Sequence, residues 1–112
     1  MRTINLEAGM PTSLDAMNTL NNRIYAERAS GAACVKIIHG YGSTGRGGAI
    51  RKACRQKLPE YRRRGMIKSF IFGEKFGPFA EEGRSAAAAH PEIRSDIDWG
   101  RENPGVTIVF FK

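Results

Sequence analysis

Apolar residues along the chain follow two kinds of pattern, which together predict an α/β fold. Alternation of polar and apolar residues predicts a short strand over residues 3–6, and β-branched and aromatic runs predict strands over residues 34–39, 65–73 and 106–111. Apolar positions three or four residues apart predict helices over residues 12–28 and 46–58, and an alanine-rich stretch predicts a shorter helix within residues 79–89. The predicted fold is a two-layer sandwich in which two main helices cover a mixed four-stranded sheet.

Both main helices have recognisable ends and a predicted buried face. Thr12 and Asp15 form a capping-box pattern ahead of the first helix, and Pro59 is expected to stop the second. In the second helix, Arg51, Lys52 and Arg55 fall opposite the face predicted to pack on the sheet. The positions predicted to face the core are Leu14, Met17, Leu20 and Ile24 in the first helix and Ile50, Ala53, Cys54 and Leu58 in the second.

Length and composition indicate a single domain over residues 1–112. Apolar side chains make up 41% and charged side chains 26%, as in ordinary globular proteins. No apolar run approaches the roughly 20 residues of a membrane span, and a signal peptide's apolar segment is missing, so we expect a cytoplasmic protein with reduced cysteines. No metal site is predicted, because Asp96 and Asp98 fit turn formation. The other candidates show no ligand spacing: Cys34, Cys54, His39 and His90.

Positive charge is concentrated in one part of the chain. Residues 46–68 hold nine of the 18 basic residues but only one of the 11 acidic ones, Glu60, so this segment carries +8 and the rest of the chain −1. Mixed charges usually form a solvated surface, whereas charge of one sign predicts a polyanionic partner. We therefore expect a nucleic acid to bind here.

A glycine-rich segment joins the second predicted strand to the second predicted helix. This order favours a phosphate site, because glycine lets the backbone approach an anion and the first helical N–H groups point toward it. The alternative is a loop that needs glycine only for tight geometry. The residues predicted to contact nucleic acid are Gly40, Tyr41, Gly42, Ser43, Thr44, Gly45, Arg46 and Gly47, followed by Arg51, Lys52, Arg55, Arg62, Arg63 and Arg64.

The same segments resemble the Smr (small MutS-related) domain family. Residues 35–42, Val-Lys-Ile-Ile-His-Gly-Tyr-Gly, resemble the family's strand and HGxG motif; residues 44–47 match its TGxG motif, and residues 105–109 resemble its closing strand. The resemblance implies a fold similar to the C-terminal domain of bacterial translation initiation factor three. It also implies binding to DNA or RNA and, in some members, metal-assisted endonuclease activity.

The N-terminal segment departs from the family pattern. Many members carry an LDxH or LDLHG motif whose Asp and His are associated with cleavage, whereas the matching residues 4–8 of this chain include Asn5 and Glu7 instead. An amide cannot act as a carboxylate does, so the resemblance supports binding better than it supports catalysis. Residues 76–99 also form a longer insertion than the family pattern.

Three functional hypotheses remain open from the sequence. The first is a domain that binds DNA or RNA, including branched or ribosomal nucleic acid, by structure rather than sequence, with Tyr41 stacking on a base or sugar. The second is an endonuclease of the same fold, with His39 and Glu7 as candidate catalytic residues and Mg²⁺ or Mn²⁺ as the only expected cofactor. The third is a nucleotide-binding protein, because residues 40–45 match G-x-G-x-x-G.

Overall fold

The order of strands and helices agrees with the sequence prediction. The computed structural model describes residues 1–9, 11–41 and 46–112, and only the backbone of residues 46 and 47. Within these residues the elements are β1 (Arg2–Asn5), α1 (Ser13–Ala29), β2 (Cys34–Ile38), α2 (Arg46–Arg63), β3 (Ser69–Phe72), α3 (Glu81–Ala89) and β4 (Val106–Phe110), with 3₁₀ turns at Gly73–Lys75 and Pro91–Ser95.

The four strands form one mixed sheet in the order β1-β2-β4-β3. β1 pairs parallel with β2, whereas β4 lies antiparallel between β2 and β3. Every residue of β4 is buried, as expected for a central strand. The strand that follows α2 is therefore not a neighbour of β2. In a dinucleotide-binding fold, the strands before and after the helix that follows the glycine-rich segment are adjacent and parallel. The topology therefore argues against the hypothesis of a nucleotide-binding protein.

Both faces of the sheet are covered. One face packs against α1 and α2 around a buried cluster that includes Leu20, Leu58 and Val109. The other face carries a second buried cluster, which includes Phe76 and, in α3, Ala87. The mixed four-stranded sheet and its two main helices are confirmed. The cover on the second face adds to the two-layer arrangement that was predicted.

Helix α1 begins where the capping pattern predicts. The N–H of Asp15 donates to Oγ1 of Thr12 at 3.1 Å, so Thr12 is the N-cap. Leu20 is fully buried, and Met17 packs against the same core. The prediction for Leu14 is wrong, since 71% of its surface is exposed. At 3.6 residues per turn Leu14 lies about 120° around the helix from Leu20, too far to reach the core.

Helix α2 continues past Pro59, so the predicted stop is wrong. Proline lacks the N–H that would bond to the carbonyl of residue 55, which costs a helix interior roughly 3 kcal/mol. Leu58 and Tyr61, on either side of Pro59, are buried in the core and compensate for that cost. The predicted arginine cluster consequently begins in the last turn of the helix rather than in a loop.

All four strands differ from the predicted bounds. β2 and β4 each end one residue earlier than predicted. β3 comprises only Ser69–Phe72 of the predicted segment 65–73, because the chain joins the sheet later. Ile67 before it and Ile71 within it are nevertheless buried as expected. β1 begins and ends one residue earlier than predicted.

Composition also led to expectations about cysteines, membranes and metals. Cys34 and Cys54 are both buried and free, and burial raises the pKa of the Cys54 thiol to about 12. Across residues 1–9, 11–41 and 46–112, no helix is long and apolar enough to span a membrane. In the same ranges, no three His, Cys, Asp or Glu side chains lie close enough together to hold a metal ion.

Candidate nucleic-acid interface

His39 lies just after β2, where the chain enters the glycine-rich segment, and it is fully buried. Its Nδ1 is 2.7 Å from the carbonyl oxygen of Gly40, and because a carbonyl only accepts, Nδ1 must carry the proton. Nε2 then accepts from the hydroxyl of Thr107 at 2.9 Å. Burial, aided by the positive charge of Arg55, lowers the pKa of His39 to about 4. The imidazole is therefore neutral at pH 7, and both of its nitrogens form structural hydrogen bonds, one to Gly40 and one to Thr107.

Arg55 does not lie on an open cationic face, so that prediction is wrong. Its Nη2 and Nη1 donate to the two carboxylate oxygens of Glu74 at 2.7 and 3.0 Å. The guanidinium also lies 4.1 Å from the ring centroid of Phe72, and the side chain is only 14% exposed. The hydrogen bonds from Arg55 lower the pKa of Glu74. Glu74 lies two residues after the end of β3, so the flank of α2 that carries Arg55 is covered by the end of the sheet.

A chain of hydrogen bonds connects Arg55 to the start of the glycine-rich segment. Nε of Arg55 donates to Oγ1 of Thr107 at 3.4 Å, the Thr107 hydroxyl donates to His39, and His39 donates to the carbonyl of Gly40. The carbonyl of Gly105 in addition accepts from the N–H groups of both His39 and Gly40 at 3.0 Å. Residues from α2, β4 and the end of β2 thus fix the backbone at Gly40.

The carboxylate of Glu7 also lies against Gly40. Gly40 has φ of +74°, a conformation that favours glycine, and a Cβ at this position would collide with the carboxylate of Glu7. Asn5, the other residue that departs from the family motif, stabilises a turn. Its Oδ1 accepts from the N–H groups of Glu7 and Ala8 at 2.9 and 3.1 Å. The structure brings both candidate catalytic residues, Glu7 and His39, to Gly40. They differ in access, since Glu7 is exposed and His39 is buried.

The exposed cations of α2 lie on the surface that faces away from the core. Lys52 and Arg63 are both exposed. Since they are eleven positions apart, they lie within about 20° of each other around the helix and about 16 Å apart along it. Arg62 and Arg64 are exposed beside Arg63, whereas Arg51 is half-buried. The row of cations thus consists of Lys52 and, about three turns further along α2, the neighbouring Arg62, Arg63 and Arg64, with the uncharged Gln56 and Pro59 between them. It replaces the predicted cluster of Arg51, Lys52 and Arg55.

Part of the predicted interface cannot be placed. Only the backbone is described for the first two residues of α2, Arg46 and Gly47. The predicted residues that lie outside the described ranges are Gly42, Ser43, Thr44 and Gly45. The order of β2, glycine-rich segment and α2 agrees with the prediction.

Tyr41 extends from the fixed backbone at Gly40 and is 57% exposed. Its ring lies against Gly105, where a Cβ would come within 3.2 Å of Tyr41 Cδ1. The absence of a side chain at Gly105 therefore allows the ring to lie close to the backbone of the loop before β4. The predicted stacking partner of a nucleic acid is thus accessible.

Sequence analysis missed a buried charge cluster on the other face of the sheet. Nζ of Lys36 bonds to Asp96 at 3.0 Å and to Asp98 at 2.8 Å. Although burial opposes it, hydrogen bonding to Asp98 and Asp96 raises the pKa of Lys36. Asp96 also accepts from the N–H of Asp98, which agrees with the predicted turn. Asp98 accepts from Asn103 at 2.9 Å, and Asn103 accepts from the N–H of Gly105 at 2.8 Å, so this cluster fixes residues 96–105 beside Gly40.

Comparison with known proteins identifies the family. The model of the Smr domain matches residues 8–76, which include β2, the glycine-rich segment and α2. This chain belongs to the Smr domain family. β1 and β4 lie outside the matched residues, so the comparison does not extend to Asn5 and Glu7.

The same Smr fold appears in a solved structure. The crystal structure of the Smr domain of Thermus thermophilus MutS2 superimposes with a TM-score of 0.62 and 20% identity, covering 100% of this chain and 99% of the other. At that identity the likeness shows the fold. No curated protein sequence matches the chain.

Proposed function

We propose that this Smr domain binds DNA or RNA through the outward surface of α2 and the glycine-rich segment. The observation that carries the proposal is that Lys52 and Arg63 are both exposed on one side of α2, with Arg62 and Arg64 exposed beside Arg63. Glu60 is the only acidic residue between positions 46 and 68, and it lies 3.6 Å from Lys57 and three positions before Arg63. One carboxylate among these cations leaves a strong excess of positive charge, which is the electrostatic footprint of a polyanion site.

The spacing of these cations suits a nucleic-acid backbone. Lys52 and Arg63 lie about 16 Å apart, which is the length of about five base pairs along a duplex. Contacts of lysine and arginine with phosphates position a protein but carry no sequence information. This supports recognition of shape, such as a branch or a structured RNA, rather than of sequence.

The glycine-rich segment adds a second anion-binding element to the proposal. It leads from the fixed backbone at Gly40 into the first turn of α2, and no acidic residue occurs in that turn. The free N–H groups and partial positive charge of a helix N-terminus favour a phosphate at this position. Together with the row of cations, it would bind several phosphates of one nucleic acid along α2.

The test replaces two cations without reversing charge. Lys52→Gln with Arg63→Gln should lower duplex affinity and reduce the slope of log K against log salt by about 1.8, since each lost phosphate contact accounts for about 0.9. A matched control, Arg28→Gln with Arg94→Gln, removes two exposed cations elsewhere and should leave the slope near that of the wild type. Fluorescence anisotropy across a salt series measures both. Equal slopes for the two double variants, both folded, would refute the proposed surface.

Cleavage is a separate candidate function, and one observation favours it: the exposed carboxylate of Glu7 lies against Gly40. A metal-assisted nuclease needs Mg²⁺ or Mn²⁺ held by several oxygen ligands. In the described part of the chain, no three potential ligands form such a group. His39 is buried with both nitrogens engaged, which leaves it poorly placed to act as a base. We therefore propose binding, and we expect little or no cleavage.

A further inference from the structure

A groove of about 540 Å³ lies beside Tyr41, apart from the row of cations on α2. It is lined by Tyr41, Asp98, Arg101, Glu102, Asn103 and Pro104. The groove is shallow and largely open to solvent, so it suits a flat group that stacks on its wall rather than one that must be enclosed. None of the residues from 98 to 104 belongs to the interface argued above.

The groove has an aromatic wall. Tyr41 is 57% exposed while its ring lies against Gly105, so part of the ring is available to a ligand. The backbone just before Tyr41 is held, since the carbonyl of Gly105 accepts from the N–H of Gly40. A ring held in this way loses little freedom when a planar group stacks on it.

The opposite wall is fixed and strained. Residues 96–105 are held by the buried pairs of Lys36 with Asp96 and Asp98, and Trp99 packs edge-on against Phe76 with centroids 5.2 Å apart. Glu102 has φ of +52°, a left-handed conformation that is uncommon for residues other than glycine. Because non-glycine residues in this conformation cluster at binding sites, Glu102 marks this wall as a candidate site.

The charges of the groove differ from those of α2. The carboxylate of Asp98 is occupied by Lys36 and Asn103, so the exposed charged groups of the lining are one cation, Arg101, and one anion, Glu102. A phosphate would be attracted by one and repelled by the other. A planar base that carries both hydrogen-bond donors and acceptors on its edges can satisfy both.

We propose that this groove binds one unpaired guanine, stacked on Tyr41, next to the nucleic acid held by α2. Guanine offers acceptors, O6 and N7, to the guanidinium of Arg101, and N–H donors on its Watson–Crick edge to the carboxylate of Glu102. The inference rests on the proposed function for its biological setting. If a guanine binds in this groove, the domain should bind nucleic acids with an unpaired base beside a duplex more tightly than a plain duplex.

The first experiment uses guanosine, which carries no phosphate and therefore reports on the groove alone. Titration into ¹⁵N-labelled protein should shift the amide signals of Tyr41, Arg101 and Glu102, and thymidine at the same concentration should shift them less. Glu102→Gln should reduce the difference between the two nucleosides. Absence of guanosine-induced shifts at these three residues would overturn the proposal.

The second experiment compares a blunt duplex with the same duplex carrying a three-nucleotide guanine tail. Stacking of one base should make the tailed duplex bind about 5- to 150-fold more tightly. Tyr41→Ala should bring the affinity ratio of tailed to blunt duplex close to one, and Tyr41→Phe should preserve the wild-type ratio. Lys52→Gln with Arg63→Gln should weaken the binding of both duplexes and leave the ratio unchanged.

The outcomes separate the two proposals. If the blunt duplex binds but the tail adds nothing, or if Tyr41→Ala retains the ratio, the groove proposal is wrong and the proposed function stands. If guanosine shifts the three amides but neither duplex binds, the groove is supported and the function proposed for α2 is wrong.

Discussion

Replacing Thr107 with valine tests the hydrogen-bonded chain from Arg55 to Gly40, because it removes a hydroxyl and keeps nearly the same shape. The change leaves Nε2 of His39 as a buried acceptor without its partner, which costs about 1–3 kcal/mol. The bond from Arg55 to Thr107 is long, at 3.4 Å, and Arg55 keeps its two bonds to Glu74, so this loss adds little. We expect the free energy of unfolding to fall by about 2 kcal/mol.

The assay is urea unfolding followed by circular dichroism, with Thr107→Ser as the matched control. Serine keeps the hydroxyl and loses one buried methyl group, so it should cost about 1 kcal/mol. For a chain of this size, a loss of 2 kcal/mol lowers Tm by about 8 °C. The amide signals of Gly40 and Tyr41 should move in the valine variant and stay near their wild-type positions in the serine variant. A valine variant within about 0.5 kcal/mol of the wild type would show that the hydroxyl does not support His39.

Three further predictions concern the buried charges and cleavage. Because burial lowers the pKa of His39 to about 4, the unfolded chain binds more protons between about pH 6.5 and pH 4, so stability should fall by up to about 3 kcal/mol as pH decreases through that range; an imidazole NMR titration that shows a charged His39 at pH 5.5 would contradict this. Lys36→Met should destabilise the fold by about 3–5 kcal/mol because it leaves Asp96 and Asp98 without their cation, and adding Asp96→Asn and Asp98→Asn should recover part of the loss in urea unfolding. Purified protein with Mg²⁺ or Mn²⁺ should nick supercoiled plasmid and structured RNA little more than a chelator control does, and strong metal-dependent cleavage that disappears in Glu7→Gln would contradict this.

Local patterns in the sequence predicted most of the fold. β2, β3 and β4 are short runs rich in apolar residues, and the cap at Thr12 depends on residues three positions apart, so the information is contained in neighbouring residues. The helix stop predicted at Pro59 was wrong because the burial of Leu58 and Tyr61, which depends on the complete core, outweighs the local effect of proline on the backbone. Leu14 misled because it is apolar but lies outside the buried face of α1.

The candidate site was less predictable because its contacts join distant parts of the chain. The turn role of Asp96 and Asp98 could be predicted from neighbouring residues, but their ion pairs with Lys36 span 60 and 62 positions. No periodicity in the sequence shows which lysine will lie beneath a given loop. A buried strand that carries a single lysine, as β2 carries Lys36, is nevertheless a signal that an acidic partner must lie elsewhere in the chain.

Arg55 shows why a cluster of charge in sequence is not the same as a charged surface. Its partner, Glu74, lies beyond the basic segment 46–68, and the two residues meet only in the folded chain, where α2 packs beside the end of β3. Its positive charge also helps to keep His39 neutral, which lets His39 accept from Thr107 while it donates to Gly40. Loss of nucleic-acid binding after Arg55→Glu would therefore not locate the interface, because that change also disturbs the backbone at Gly40. Lys52 and Arg63 make no such contacts in the described structure, so their replacement is the change that tests the surface of α2 itself.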